Sequence, residues 1–136
     1  MRVVIDTNVL MSALMLASSP PAKVLVLWRN RRFDLLTSSQ QLDEIARVTR
    51  YPKIRARLSP PLAGRLVNRI RELAITIDKL PKINRSPDPD DNYLLALAEA
   101  GHADFLLTGD KSLLDLKRHK ATRILTAANL LDLLSD

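Results

Sequence analysis

The sequence predicts one domain with an α/β fold built on a mostly parallel sheet, and two observations support this prediction. Short apolar runs alternate along the chain with segments of helical periodicity, as in sheets that are covered by helices. Hydrophobic residues make up 46% of the 136 residues, enough for one sizeable core. The chain has no cysteine, which excludes disulfides, Cys-type zinc sites and a thiolate nucleophile. No repeat or linker divides the sequence, so we expect one domain over residues 1–136.

Strands and helices alternate in a regular order. Apolar and β-branched runs predict strands at residues 2–5, 33–37, 74–77, 104–108 and 123–125. Residues that cap or open helices predict helices that begin near Pro20, Ser38, Ser59, Pro89, Ser112 and Thr126. The helix that begins near Pro89 is expected to end with Gly101 as its C′ glycine. Ser112 and Asp115 have the spacing of a capping box, so we assign Asp115 to capping.

Charge is distributed unevenly along the chain. Residues 1–71 hold 13 Lys and Arg against 4 Asp and Glu, whereas residues 72–136 hold 8 against 11. A basic run without any acid extends from residue 47 to residue 57 and comprises Arg47, Arg50, Lys53, Arg55 and Arg57. Such a run is typical of a surface that binds a polyanion next to a metal site. The alternative is an ordinary solvated surface.

Three carboxylates lie where predicted strands end or a helix begins. Asp6 follows the first strand, Asp110 follows the strand at 104–108, and Asp91 lies in the first turn of a helix. Ligands of open α/β sheets bind beyond the carboxyl ends of the strands, so Asp6 and Asp110 should meet at one edge. Each acid also has a structural interpretation, because Asp6 and Asp110 suit turns and Asp91 suits the positive end of a helix. Taken alone, no acid decides between the two interpretations.

Glu44 and Asp43 are two further acids on the helix predicted after Ser38. Glu44 lies at the margin of the apolar face that Leu42 and Ile45 share, so that it can lean into a cleft. Asp43 points farther toward solvent. The alternative for Glu44 is an ordinary exposed glutamate.

Taken together, the acids indicate a metal site. Converging carboxylates raise one another's pKa and destabilise a fold, and a divalent cation removes that cost. Because Mg²⁺ and Mn²⁺ prefer oxygen ligands, an all-carboxylate site favours Mg²⁺ (or Mn²⁺) over zinc. His102 and His119 lie at a helix end and in a basic segment, and we expect both on the surface.

Two segments of the sequence resemble the two halves of a known family of domains. Residues 3–10, VVIDTNVL, are similar to the opening of a PIN domain. Residues 88–98, DPDDNYLLALA, followed by residues 103–110, ADFLLTGD, are similar to its second half. The resemblance is closest to toxin components of the VapC type, and it covers essentially the whole chain. It implies a three-layer α/β/α sandwich with a central, mostly parallel sheet.

The resemblance also implies which residues form the site. The catalytic and metal-binding acids that it implies are Asp6, Glu44, Asp91 and Asp110. Asp43 is the competitor at the second position, and Asp90 is a weaker competitor at the third. Asn8 and Thr108 fall where the family has polar side chains that orient ligands or bind phosphate, so both receive supporting roles.

The implied activity is metal-assisted hydrolysis of RNA, with Mg²⁺ or Mn²⁺ as cofactor, that leaves a 5′-phosphate and a 3′-hydroxyl. The basic run would then bind the RNA backbone or, in part, an acidic partner. The resemblance further implies a small antitoxin that blocks the site, with a groove between the helices near residues 40–75 as its docking place, and it allows a homodimer. No stretch approaches about 18 apolar residues, so we expect no membrane span and a cytoplasmic location.

Other classes of protein fit less well. A phosphatase of the haloacid dehalogenase type needs a second Asp two residues after the first, where this chain has Asn8. A receiver domain needs a phosphoacceptor Asp after a middle strand and a later Lys, and neither is in place in this sequence. Dinucleotide binding is also disfavoured, because three glycines cannot form the glycine-rich phosphate loop that it needs. Two alternatives stay open: a non-catalytic PIN-fold module that binds RNA or protein, and a housekeeping RNA-processing nuclease.

Overall fold

The structure is a computed structural model that describes residues 1–135. Its strands are β1 (Arg2–Ile5), β2 (Asp34–Thr37), β3 (Ile75–Thr76), β4 (Phe105–Leu107), β5 (Arg118–His119) and β6 (Thr122–Leu125). Its α-helices are α1 (Thr7–Met15), α2 (Pro20–Arg29), α3 (Ser39–Val48), α4 (Pro52–Arg55), α5 (Pro60–Leu73), α6 (Asn92–Ala100), α7 (Lys111–Leu114) and α8 (Ala127–Leu134). A 3₁₀ turn, Pro89–Asp91, leads into α6.

The strands form one sheet in the order β3-β2-β1-β4-β6-β5. β5 runs antiparallel to β6, whereas the other neighbouring pairs are parallel. The chain leaves β1 toward β2 and later returns on the opposite side of β1 at β4, so the strand order reverses there. Ile5 pairs with Leu107, which brings the carboxyl ends of β1 and β4 to the same level. The segments that carry Asp6 and Asp110 therefore follow the sheet at its topological switch point.

Successive residues of β1 face two different cores. Val3 and Ile5 pack in a cluster with side chains from α1, α2, α3, α5 and α8. Val4, between them, packs in a second cluster with side chains from α6 and α7. Since a strand alternates its side chains between the two faces of a sheet, helices cover both faces. The predicted three-layer α/β/α sandwich with a mostly parallel sheet is confirmed.

The predicted helix caps at Ser38 and Thr126 are present. Their side-chain oxygens accept the backbone N–H groups of Gln41 and Asn129, at 3.2 Å and 3.1 Å. α1, α4 and β5 were not predicted. α1 buries residues on most of its sides, so its sequence lacks the polar face that reveals a helix. Within residues 1–135 no single helix is long and apolar enough to cross a membrane, and the bent pair α1 and α2, at 97°, qualifies by length and composition only.

Gly101 ends α6 as predicted, but it is the C-cap residue and lacks the left-handed conformation that a C′ glycine usually has. Its φ is −91°, and the left-handed residue is instead His102, with φ of 52°. A Cβ at position 101 would lie 2.5 Å from Leu36 Cδ1 and 2.8 Å from Ile77 Cδ1. Close packing of the end of α6 against β2 and the segment after β3 therefore explains this glycine, and the C′ prediction is wrong.

The capping box predicted at Ser112 is also wrong. The residue that caps α7 is Asp110, whose Oδ1 accepts the backbone N–H of Ser112 at 2.9 Å. Asp115 lies at the other end of α7, where its carboxylate pairs with Lys111 Nζ at 3.1 Å. The start of this helix therefore fixes one of the candidate acids.

Candidate active site

Asp6 occupies the junction between β1 and α1. Its backbone N–H donates to the carbonyl of Leu107 at 2.9 Å, which continues the pairing of β1 with β4. The residue is 7% exposed, and Oδ1 caps α1 by accepting the backbone N–H of Asn8 at 3.3 Å. Asp6 thus serves as a helix cap and still lies at the carboxyl edge of the sheet, so the structural and functional interpretations are compatible.

Thr108 connects Asp6 to the segment that carries Asp110. It is fully buried; its hydroxyl donates to Asp6 Oδ2 at 2.8 Å and accepts the backbone N–H of Asp110 at 3.0 Å. Burial raises the pKa of Asp6, and this hydrogen bond opposes the shift. Thr108 therefore links the two acids by hydrogen bonds, and its supporting role stays a prediction. Asn8 is exposed and contacts Asp6 through its backbone.

Asp110 is fixed by the start of α7. Its Oδ1 accepts both the backbone N–H and the hydroxyl of Ser112, each at 2.9 Å. The backbone hydrogen bond is the main reason why the pKa of Asp110 is lowered, and the hydroxyl adds to it. The start of α7 therefore favours the ionised form of Asp110.

Asp91 ends the 3₁₀ turn and makes no side-chain capping bond at the start of α6. Burial, a hydrogen bond with the Asp110 carboxylate and the charge of Asp6 together raise the pKa of Asp91 to about 7. By contrast, Asp88 caps the turn by accepting the backbone N–H of Asp90 at 3.0 Å, and Asp90 is exposed. Helix-start chemistry accounts for Asp88, whereas Asp91 faces the other acids.

Glu44 reaches the same region from α3. It is partly buried, and its Oε1 accepts the hydroxyl of Tyr93 at 2.7 Å and the hydroxyl of Thr7. Its charge contributes to the raised pKa of Asp6. Asp43, the competitor, is exposed. The structure therefore brings Glu44 to the acids and leaves Asp43 in solvent.

Tyr93 and Thr7 are two contacts of the site that sequence reasoning missed. Tyr93 is buried, and burial together with Glu44 raises its pKa above the usual range, so it keeps the proton that it donates. Nothing marks Tyr93 in the sequence except its place two residues after Asp91. Thr7 lies between Asp6 and Asn8, and this position was the one feature of the sequence that could have indicated its contact with the site.

The four acids have no cationic partner in the described part of the chain. The ion pairs of residues 1–135 are Lys111 with Asp115 and His119 with Glu99, and neither includes a candidate acid. The donor set consists of carboxylate oxygens, which suits a hard divalent cation. However, no group of three or more His, Cys, Asp or Glu side chains within residues 1–135 is placed so that it could hold a metal ion. The carboxylate oxygens thus fit a divalent cation chemically. In the described part of the chain, however, no three of the acids are close enough together to coordinate one ion directly.

The basic run begins on α3, about one turn after Glu44, and none of its residues lines the cavity beside Asp6 and Asp110. Their exposed side chains follow the last turn of α3 and continue through α4: Arg47, Arg50, Lys53, Arg55 and Arg57. Arg50 and Arg55 line a groove of about 470 Å³ against α5. A groove is therefore present between the helices of residues 40–75.

His119 is not on the surface, contrary to the prediction. It is 5% exposed, with Nε2 3.0 Å from Glu99 Oε1 and Nδ1 2.9 Å from Arg85 Nη1. This contact joins α6, β5 and the loop before Asp88. The prediction failed because β5, which carries His119, was not recognised as a strand. His102 is exposed, as predicted.

A three-layer fold with carboxylates at the switch point of a parallel sheet defines a class of α/β proteins that bind their ligands at this edge. The chain belongs to the PIN domain family, whose model matches residues 2–112. PIN domains have a nuclease-type fold and typically use divalent metals. An uncharacterized protein of Methanocaldococcus jannaschii is similar to this chain, with 32% identity over 117 residues, which cover 85% of this chain and 75% of that protein. No solved structure matches the chain significantly.

Proposed function

We propose that this protein is a metal-dependent endoribonuclease that hydrolyses RNA phosphodiester bonds, and that it is the cytoplasmic toxin of a toxin–antitoxin pair. The observation that carries the proposal is that four acids from separate segments lie near one another at the switch point of a PIN-domain sheet, linked by hydrogen bonds through Thr7, Tyr93 and Thr108. These acids are Asp6, Glu44, Asp91 and Asp110. Acids that meet without cations cost stability, and such costs are concentrated at functional sites.

The proposed cofactor is Mg²⁺ or Mn²⁺, held by these four acids directly or through water. When bound, the metal supplies Lewis-acid polarisation of the scissile phosphate and of the attacking water. The chain itself supplies orientation. Thr108 and the backbone of Asn8 hold the two oxygens of Asp6, and Tyr93 with Thr7 holds Glu44, so that both carboxylates keep one position.

The basic run is proposed to bind the RNA backbone. Arg47 follows Glu44 by about one turn of α3, so the run begins on the helix that supplies an acid. The groove between α3 and α5 supports a docking place for the proposed antitoxin, with Arg50 and Arg55 available to an acidic partner. A homodimer is the further assembly that the family suggests.

A non-catalytic PIN-fold module that binds RNA or protein is the second candidate function. One observation favours it, namely that no group of three or more potential ligands in residues 1–135 is placed to hold a metal. A housekeeping RNA-processing nuclease would use the same acids and differ from a toxin in its substrate. Identification of the natural RNA target would distinguish the housekeeping role from the toxin role.

The test is cleavage of single-stranded and structured RNAs by the wild type in Mg²⁺, Mn²⁺ or EDTA. Asp6→Asn and Glu44→Gln should each lower metal-dependent cleavage at least about 100-fold. Asp43→Asn is the matched control, because Asp43 neighbours Glu44 on α3 but is exposed, and it should cut like the wild type. Cleavage that persists in EDTA or in Asp6→Asn contradicts the metal mechanism. A folded protein that binds RNA but never cuts it supports the binding module.

A further inference from the structure

A cavity of about 540 Å³ lies next to the acids, between the starts of α1, α2 and α8. Asp6, Thr108 and Asp110 form one end of it, so the cavity opens directly onto the candidate active site. Its volume falls in the range of sites that bind small molecules. Whatever occupies it lies next to the group on which the acids act.

Away from the acids, the walls of this cavity are uncharged and largely apolar. Val9, Pro20 and Pro21 line one side, and Ala127 and Ala128 line the other. Among the described residues, none that lines the cavity is Lys, Arg or His. Phosphate groups are recognised mainly by cations and are repelled by carboxylates, so the backbone of a nucleic acid does not suit this space. A flat, neutral group with apolar faces does.

Two polar side chains of α1 also line the cavity. Asn8 and Ser12 are four residues apart, so they lie on the same face of the helix. Neither side chain has a hydrogen-bond partner within residues 1–135, since Asn8 bonds through its backbone N–H and Ser12 through its carbonyl. An amide and a hydroxyl are the groups that read the edge of a nucleobase.

We infer that this cavity binds one nucleobase of a single-stranded RNA, next to the scissile phosphate, with Asn8 and Ser12 at the edge of the base. The inference rests on the proposed function and adds to it a subsite for one base. A base within a duplex is stacked and paired, so only an unpaired or extruded base can enter. The cavity therefore makes the enzyme selective for single-stranded segments and for the base at one position.

Binding to the cavity can be measured without metal and without cleavage. The ¹⁵N-labelled, metal-free protein is titrated with each of the four ribonucleosides, and with ribose as the control. We expect saturable shifts of the amide signals of Ser12, Gly109 and Ala128, with dissociation constants near about 1 mM for at least one nucleoside. The absence of shifts at these amides, or equal shifts with ribose, overturns the inference.

Cleavage gives a second, independent test with a matched pair of variants. Ala128 and Asn129 are consecutive, exposed residues of α8, but only Ala128 lines the cavity, so Ala128→Leu fills it and Asn129→Leu does not. A single-stranded RNA is compared with copies that lack one base at each position around the cut. Loss of the base at one position should slow the wild type and Asn129→Leu about tenfold or more, because the scissile group is misplaced.

Ala128→Leu should cut the complete RNA at that reduced rate and be insensitive to the missing base. A wild type that cuts every abasic RNA at the full rate, or an Ala128→Leu variant that behaves like Asn129→Leu, overturns the inference. If the wild type cuts no RNA at all, the proposed function fails, and the nucleoside titration alone then supports or overturns the cavity assignment.

Discussion

Tyr93 acts on the candidate site through one hydrogen bond, from its hydroxyl to Glu44 Oε1. Tyr93→Phe removes that bond and leaves Glu44 held by Thr7 alone. We expect kcat for RNA cleavage to fall about tenfold while KM changes less than about twofold, because the carboxylate is less well positioned. The free energy of unfolding should fall by about 1 kcal/mol, as for a typical buried hydrogen bond.

The matched control for kcat and stability is Tyr51→Phe, because Tyr51 is 48% exposed and lies in the basic run, where it has no hydrogen bond to any of the four acids. It should leave both kcat and the free energy of unfolding at the wild-type value. If Tyr93→Phe loses stability but keeps the wild-type kcat, then Tyr93 has only a structural role.

Asp91 makes the stability of the metal-free protein dependent on pH. Its pKa of about 7 in the folded chain lies above the ordinary value of 3.8, so the folded state holds a proton that the unfolded state has lost. The stability that the protonated form contributes is fully present below about pH 4 and is lost as the pH rises through about 7. Asp91→Asn should therefore raise the Tm measured in EDTA, and the gain should grow from pH 5 to about 4 °C at pH 8.

Asp90→Asn provides the comparison for this measurement, since Asp90 is the exposed neighbour in the same turn. Its Tm should differ from that of the wild type by the same small amount at both pH values. An Asp91→Asn gain that does not change between pH 5 and pH 8 contradicts the assignment of the raised pKa to this carboxyl.

At the scale of secondary structure, the sequence predicts elements where polar and apolar residues alternate and misses those where they do not. α3 and α8 have serine or threonine caps and one apolar face, and both were predicted. α1 has no such face, and β5 is a pair of basic residues that becomes a strand only beside β6. Gly101 shows the same limit, because its close neighbours come from β2 and the segment after β3.

Gly101 is therefore expected to be intolerant of alanine although its φ is negative. The new methyl group would press on the buried side chain of Leu36 and on Ile77, so Gly101→Ala should destabilise the protein by about 1–3 kcal/mol. Gly64 provides the contrast, because it lies within α5 and a Cβ there would meet nothing within 4 Å. Gly64→Ala should stabilise by up to about 1 kcal/mol, the helix-propensity difference. Urea unfolding measures both, and equal effects contradict the packing argument.

At the scale of the whole molecule, the topology determines which site residues the sequence could reveal. Asp6 follows β1 directly and Asp110 follows its parallel neighbour β4 after two residues, so their approach at one edge of the sheet could be predicted from the sequence. Whether Glu44 or Asp43 reaches the other acids depends on how α3 packs against the sheet, so the sequence alone did not decide between them. The structure shows that Glu44 contacts Thr7 and Tyr93. Contacts between distant helices are not encoded in local periodicity.

The uneven charge of the chain is a property at this same scale, and it predicts how RNA affinity depends on salt. Each phosphate contact made by a cation releases counterions, and for single strands it contributes about −0.7 to the slope of log affinity against log salt. Replacement of four exposed cations of the basic run by glutamine should therefore flatten the slope by up to about 3. The four positions are Arg50, Lys53, Arg55 and Arg57.

A matched variant replaces four exposed lysines outside the basic run, namely Lys79, Lys82, Lys117 and Lys120. It removes the same net charge, so it shows what a general loss of attraction does to the affinity without a loss of direct contacts. RNA binding measured from 50 to 200 mM salt should give this variant a nearly wild-type slope and the basic-run variant a flatter one. Equal slopes for the two variants would mean that the basic run is an ordinary solvated surface. The RNA would then have to bind to another part of the surface around the acids.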